Sequence, residues 1–296
     1  MLKLNPIVIY HRSDYDGIFC REIAKKFIPD AELIGWEYGD ECPEVKANQD
    51  LYILDLSIEP LMSHPRLIWI DHHKTAIDKY PPHIPGYRID GVAACRLAWQ
   101  WFNLKLPSKE DYINRKVSEP LAVKLAGEYD IWDKRDPNAE LFQHGLRSQE
   151  LTEVEWKVLL DVEQLNFVEK LLEQGKVLQY AKEKENASII KAAGFNLSFE
   201  GRVFLACNHA RFNSFLFTAG VKEFHEGLLG FCWDGDKWKI SMYHAPHRTD
   251  IDLSEIAIKY KGGGHRGACG FTCAELPFKL SNLDFPSVLE GDSKKQ

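Results

Sequence analysis

Short apolar runs alternate with helix-spaced segments over the first half of the chain. Ile7-Val8-Ile9-Tyr10, Glu32-Leu33-Ile34-Gly35-Trp36, Leu51-Tyr52-Ile53-Leu54 and Leu67-Ile68-Trp69-Ile70 have the length and side-chain content of strands. Between the first two, Ile18 to Phe27 reads as a helix, with Ile23 and Phe27 at i, i+4 and Pro29 as the stop. Val92 to Phe102, rich in Ala and Trp, predicts a buried helix. Another is expected from Lys109 to Ala126, ended or kinked at Pro120. Strands interleaved with helices imply an α/β fold whose mainly parallel sheet is covered on both faces.

The pattern changes after residue 150. From Thr152 to Ala193 there is no proline and one glycine, Gly175, which predicts two helices, the second long. Phe167, Leu171, Leu178, Ala181 and Ala192 share one helical face in that reading. Strand-like runs resume at Phe195-Phe199 and Val203-Cys207, followed by a helix-like stretch around Phe212 to Phe224. Leu228-Trp233 and Trp238-Tyr243 flank Asp234-Gly235-Asp236-Lys237, a hairpin signal. A short helix begins near Asp252 or Ser254, either of which suits the cap, and leads into Gly262-Gly263-Gly264-His265. A strand through Phe271, a short helix and a polar tail close the chain. The organisation expected is residues 1–150, a helical linker over 151–193, a smaller mixed-sheet α/β domain over 194–282 and a tail over 283–296. Two domains fit 296 residues, because one core rarely grows much beyond about 250.

Composition narrows the function classes. The N-terminus lacks the apolar stretch of a secretory signal, and no run approaches the roughly 20 residues of a membrane span. Seven scattered cysteines without a C-x-x-C pattern suit reduced thiols and a cytoplasmic protein. A net charge of −7 argues against coating long duplex DNA, yet leaves a nucleotide substrate open, because acidic clusters turn positive once loaded with cations. Of the tryptophans, Trp69, Trp99, Trp101 and Trp132 fall in apolar patterns expected in the core.

The candidate chemistry lies where strands end. His11, Asp14 and Asp16 follow the first strand, Asp55 the third, and Asp71-His72-His73 the fourth, with Asp130 and Asp133 after a helical segment. Parallel strands bring their C-terminal ends to one edge, so these groups can converge. One Asp at a strand end is an ordinary turn residue. Several at one edge repel each other unless cations hold them, and their number suits two metals better than one.

These motifs, in this order, resemble the DHH phosphoesterase superfamily. The carriers are H-x2-D-x-D-G at His11 to Gly17, the lone Asp55, Asp71-His72-His73, an Asp near residue 130 and Gly262-Gly263-Gly264-His265. The similarity is greatest to two-domain members with the DHH-associated C-terminal domain, among them nanoRNases, dinucleotide phosphodiesterases and RecJ-type nucleases. It runs from residue 7 to about residue 273.

The resemblance implies a centre of two Mn2+ ions, with Mg2+ as a substitute, that activates a water for attack on phosphorus. It implies His11 and Asp14 on one metal, Asp16, His72 and Asp130 on the other, and Asp55 between them. Asp55, Asp71, His72 and His73 form the catalytic set: Asp71 orients a ligand histidine, and His73 stands behind the ligands or touches the substrate phosphate. The fourth motif is open among Glu128, Asp130 and Asp133. Asp130 is preferred because Tyr-Asp-Ile-Trp is similar to the family's Asp-aliphatic-Trp stretch. The first motif spaces its His and Asp differently from many members. Gly262, Gly263, Gly264 and His265 are expected to hold the substrate's phosphate across an interdomain cleft, with Arg248 and Asn208 beside them. Ser214, His209, Arg211, His244 and His247 are weaker candidates.

The expected activity is Mn2+-dependent hydrolysis of short oligonucleotides or linear dinucleotides to mononucleotides. Cyclic dinucleotides, 3′-phosphoadenosine 5′-phosphate or longer single-stranded DNA are the alternatives for the same centre. A nucleotide-binding regulator whose metal site has decayed is the alternative without catalysis. No membrane partner is expected, and a homodimer is compatible with the sequence.

Overall fold

The computed structural model describes residues 4–104, 116–131, 133 and 135–279. Four strands, β1 (Ile7–His11), β2 (Glu32–Trp36), β3 (Leu51–Leu54) and β4 (Leu67–Ile70), pair in the order β2-β1-β3-β4, all parallel. Period-2 alternation divides their side chains between two cores. Val8, Leu54 and Ile70 face one, while Ile7, Ile9, Ile53 and Trp69 face the other. Both faces are thus buried, as a parallel sheet requires.

The chain leaves β1 for β2 on one side, then returns to place β3 on the other. The C-terminal ends of β1 and β3 therefore flank a switch point, where open sheets form a crevice.

Helix α1 (Tyr15–Phe27) starts three residues before the apolar spacing suggests. Asp14 caps it, accepting a hydrogen bond from the Gly17 N–H at 2.9 Å. Helices α2 (Lys74–Lys79), α3 (Ala94–Leu104), α4 (Leu121–Asp130), α5 (Asn138–Arg147) and α6 (Glu153–Leu159) follow, then α7 (Asn166–Ala193). The helix expected from Lys109 lies partly outside the described residues, as do Trp132, the short helix after the last strand and the tail. Pro120 stands at the N-cap of α4 and neither ends nor kinks a helix, because a first-turn position needs no N–H donor.

The chain divides into two compact units at Leu178/Gln179, within α7. Only the first part of the apolar face expected for this helix is buried: Leu171 lies in the core and Phe167 packs against it. Val168, Leu171 and Gly175 are buried in the first unit and Ile190 in the second, while Leu178, Ala181 and Ala192 are exposed. Each end packs into a different core, so no continuous stripe is needed. Gly175 is required by one of these contacts: a Cβ there would come within 1.8 Å of the Leu141 carbonyl oxygen of α5.

The second unit is a six-stranded sheet of β5 (Gly194–Phe199), β6 (Arg202–Asn208), β7 (Gly227–Trp233), β8 (Trp238–His244), β9 (Gly263–His265) and β10 (Ala268–Cys273). Its order is β5-β6-β7-β8-β10-β9, with β6 and β7 parallel and the other neighbours antiparallel, so the sheet is mixed. Residues 212–224 hold only a 3-10 turn, Ser214–Phe217, in place of the helix-like stretch. Leu216 and Phe217 plug a core beside Ile190 and Leu205, and a plug needs no helical period. Helix α8 (Ser254–Lys259) has Leu253 at its N-cap, while Asp252 accepts the Ser254 N–H at 3.0 Å. Among the described residues no helix is long and apolar enough to cross a membrane.

Candidate metal centre

The side chains of the expected centre are set by strand ends and by helix ends: Asp14 caps α1, Asp16 lies in its first turn, and Asp130 is the last residue of α4. His11 is the last residue of β1, and Gly17 lets α1 begin directly against it. A Cβ on Gly17 would lie 1.9 Å from the His11 carbonyl oxygen. Asp55 follows β3 in a left-handed conformation, φ 64°, uncommon outside glycine but tolerated by Asp and Asn. Its N–H donates to the Ile70 carbonyl at 2.9 Å, and the Trp69 indole N–H fixes the next residue by donating to the Leu56 carbonyl at 2.8 Å. Asp71 closes β4, where its N–H donates to the Tyr87 carbonyl at 3.1 Å.

These ends converge. The ligand-capable atoms of His11, Asp14 and Asp55 form one group, those of Asp16, His72 and Asp130 a second, and those of Asp55, His72 and His73 a third, each within 4.8 Å of one another. Asp55 belongs to two groups, and His72 Nε2 lies among three carboxylates: Asp130 Oδ2 at 3.2 Å, Asp55 Oδ1 at 3.4 Å and Asp16 Oδ2 at 3.6 Å. His11 Nδ1 faces Asp14 Oδ2 at 2.7 Å and Asp55 Oδ2 at 3.6 Å. Of the fourth-motif candidates, Asp130 is the one that reaches His72. Asp133 is held by Arg135, with Oδ1 2.8 Å from its Nε, and Glu128 lies near Lys124, Oε1 to Nζ 3.7 Å.

Asp71 holds His73 rather than His72, the histidine read as a metal ligand. Its Oδ1 accepts from the backbone N–H groups of His72 and His73 at 2.7 and 3.0 Å and lies 2.7 Å from His73 Nδ1. Asp16 is held from a different element. Its carboxylate accepts the Ala94 and Cys95 N–H groups at 2.8 and 2.7 Å, at the first turn of α3. Sequence reasoning missed these donors, since a backbone N–H has no sequence signature. It also missed Glu37, whose Oε1 lies 3.3 Å from His11 Nε2. The acidic turn after β2 was the available signal.

The electrostatics follow from burial and like charge. Burial and then Asp55 push the Asp16 carboxyl up to about 7. Burial and then Asp16 push Asp130 up to about 7. Burial also drives Asp55 upward. Asp14 and then Asp55 lift His11 to about 11. Burial opposes the charged form of His72, but Asp55, Asp16 and Asp130 outweigh it and raise it to about 9.

The donor set fits divalent cations. Asp55 is 1% exposed, and among the described residues neither of its oxygens is hydrogen-bonded; His72 Nε2 lies 3.4 Å and His11 Nδ1 3.6 Å away. A buried carboxylate without hydrogen bonds is unfavourable even beside imidazoles, and buried charges of this kind pair or coordinate metals. Imidazole nitrogen with carboxylate oxygen suits borderline and hard ions such as Mn2+, Zn2+ and Mg2+.

The second-unit candidates lie in separate settings. Gly263–His265 is no free loop: it pairs as edge strand β9 with β10, and all three residues are exposed. Without side chains, glycines give no strand signal in sequence. Gly262 precedes it, and a Cβ there would come within 2.1 Å of the Gly270 carbonyl oxygen. Arg248 is bound by Asp250 at 2.9 Å and Glu226 at 3.3 Å. Asn208 ends β6 and is exposed. His209 lies against the Arg211 carbonyl, His244 against that of Ile251 and His247 against that of Glu223. Ser214 opens the 3-10 turn.

No family model matches the chain. An uncharacterized protein of Acanthamoeba polyphaga mimivirus is 28% identical over 243 residues, covering 77% of this chain and 53% of that protein. The chain thus spans about half the length of this relative. Among solved structures, the pGpG-specific phosphodiesterase PggH of Vibrio cholerae matches 91% of this chain and 93% of its own, with a TM-score of 0.52 and 16% identity. The DHH domain of a member of the s1p family of ribosomal proteins matches 90% of this chain and 82% of its own, with a TM-score of 0.50 and 15% identity. At such identities the likeness is one of fold. The chain therefore shares its fold with these structures, one of them a DHH domain.

Proposed function

We propose that the chain is a divalent-metal-dependent phosphodiesterase that takes Mn2+ and hydrolyses short oligonucleotides or linear dinucleotides to mononucleotides. The observation that carries this reading is Asp55. Its two buried oxygens, without hydrogen bonds, stand between the His11/Asp14 group and His72 of the Asp16/His72/Asp130 group. Its fold likeness to a pGpG-specific phosphodiesterase supports a nucleotide substrate.

His11, Asp14 and Asp55 would hold one ion, and Asp16, His72 and Asp130, with Asp55, the other. Bound divalent ions supply Lewis acidity, which lowers the pKa of water and neutralises charge growing on phosphoryl oxygens. The chain's residues supply position. Asp71 fixes the half-exposed His73 by Nδ1, and raises its pKa, so that the charged ring can donate from Nε2 to a phosphoryl oxygen. In the overall reaction, water oxygen bonds to phosphorus, the bridging P–O ester bond breaks, and a nucleoside hydroxyl leaves with a proton. On the substrate side, Gly262, Gly263, Gly264, His265 and Asn208 are the residues of this reading. The outer backbone groups of edge strand β9 suit an anion. Arg248 contributes less, since two carboxylates already hold it. Seven free thiols support a cytoplasmic setting.

The test is a panel of pGpG, two- to five-residue RNA and DNA, a cyclic dinucleotide, 3′-phosphoadenosine 5′-phosphate and long single-stranded DNA, each with Mn2+. Mononucleotide release from the short linear substrates is expected, with loss in Asp55→Asn and His72→Ala. Turnover that survives either substitution would falsify the reading. Preference for another panel member would keep the centre and replace the substrate.

A further inference from the structure

We infer that Glu37 is the positioning residue for His11, fixing which ring nitrogen faces the metal centre. This rests on the metal-centre reading of the site. Glu37 follows β2 and is partly exposed. Its Oε1 lies 3.3 Å from His11 Nε2 and accepts the Tyr38 N–H at 3.1 Å.

A carboxylate oxygen is an acceptor, so in the metal-free fold both ring nitrogens can donate, Nε2 to Glu37 and Nδ1 to Asp14 Oδ2, 2.7 Å away. A metal must displace one of these protons, and Glu37 keeps the hydrogen on Nε2, so that the lone pair is freed on Nδ1. Nδ1 is the nitrogen beside both Asp14 Oδ2 and Asp55 Oδ2, the latter 3.6 Å away, where a cation would replace the proton. Carboxylate–imidazole–metal series of this kind fix the ring and raise its basicity.

The turn that carries Glu37 is itself braced. Asp40 accepts the Glu37 N–H at 2.9 Å, and its own N–H donates to the Glu37 carbonyl at 3.0 Å. Arg12, the residue after His11, donates from Nη2 to Asp40 Oδ1 at 3.1 Å and so ties the turn to the end of β1. Gly39, at φ 108°, gives the turn a conformation that side chains disfavour. Glu37 is therefore held in place independently of any ligand, as a residue that orients another must be.

The test is calorimetric titration of the metal-free protein with Mn2+, with thermal melts as a check of folding. The wild type is expected to bind two ions. Glu37→Ala and Glu37→Asp, which is too short to reach, should weaken one of the two sites by roughly 10- to 100-fold. The other site should stay unchanged, and Glu37→Gln, which keeps an acceptor oxygen, should restore most of the loss. Two sites of wild-type affinity in both the Ala and Asp variants would overturn the inference. A wild type that binds no Mn2+ would instead overturn the metal-centre reading beneath it.

Discussion

Gly17 and His11 are locked together. The first turn of α1 passes so close to the end of β1 that a single added carbon would lie 1.9 Å from the His11 carbonyl oxygen. The glycine of the H-x2-D-x-D-G motif is thus explained by packing. Gly17→Ala should shift His11, lower stability by about 1–3 kcal/mol and weaken Mn2+ binding. Denaturant melts and metal titration on the same sample check both effects; a variant equal to wild type in both would show that the contact relaxes without cost.

Asp55 sets function against stability. Asn tolerates the left-handed backbone at φ 64° and removes the buried charge. Asp55→Asn should therefore raise the stability of the metal-free protein, by roughly 1–3 kcal/mol. The same variant should lose most of the stabilisation that Mn2+ gives the wild type. Melting curves with Mn2+ and with chelator measure both; a metal-free Asn variant less stable than wild type contradicts the argument.

Metal binding should be linked to protons. In the metal-free fold Asp16 and Asp130 titrate near about 7, against a usual 3.8, so the folded state holds extra protons in that window and loses stability as pH rises through it. His72, raised to about 9 from 6.5, contributes stability that is complete below 6.5 and is lost as pH rises through about 9. A metal must displace these protons, so the melting-temperature gain from saturating Mn2+ should grow from about pH 5.5 to about pH 8.5. A gain independent of pH argues against coordination by these groups.

The fourth motif separates cleanly in the structure. Asp130→Asn should reduce Mn2+ stoichiometry or affinity by at least about 10-fold, while Asp133→Asn, which breaks only the pairing with Arg135, should leave binding unchanged. Equal effects in the two variants would remove Asp130 from the centre.

Gly175 and Gly145 mark the crossing of α5 and α7: a Cβ on either would come within 2.0 Å of a backbone oxygen of the other helix. Gly175→Ala should cost about 1–3 kcal/mol, with no direct effect on the metal centre. Unchanged stability in chemical denaturation would mean that the helices separate freely.

What was legible in sequence followed from periodicity. Runs such as Ile7 to Tyr10 and Leu51 to Leu54 carry their own signal, and the polar residues that end them mark the edge where His11, Asp55 and Asp71 gather. What was hidden lies in three-dimensional partners. Nothing in the sequence pairs Glu37 with His11, or the N–H groups of Ala94 and Cys95 with Asp16. Nor could it show that Asp71 holds His73. Hydrophobic period also failed where it was not the organising force. The run around Phe215 is a core plug, Gly263–His265 pairs through backbone alone, and α7 serves two cores.

Asp16 has two employers. The carboxylate that stands beside His72 is also the anchor on which α3 hangs its opening turn, through the amides of Ala94 and Cys95. Drift at this position would loosen a helix of the main core at the same time as it altered the surroundings of His72. If the proposed centre operates, a well-folded descendant that abandons it is expected to do so through a different residue.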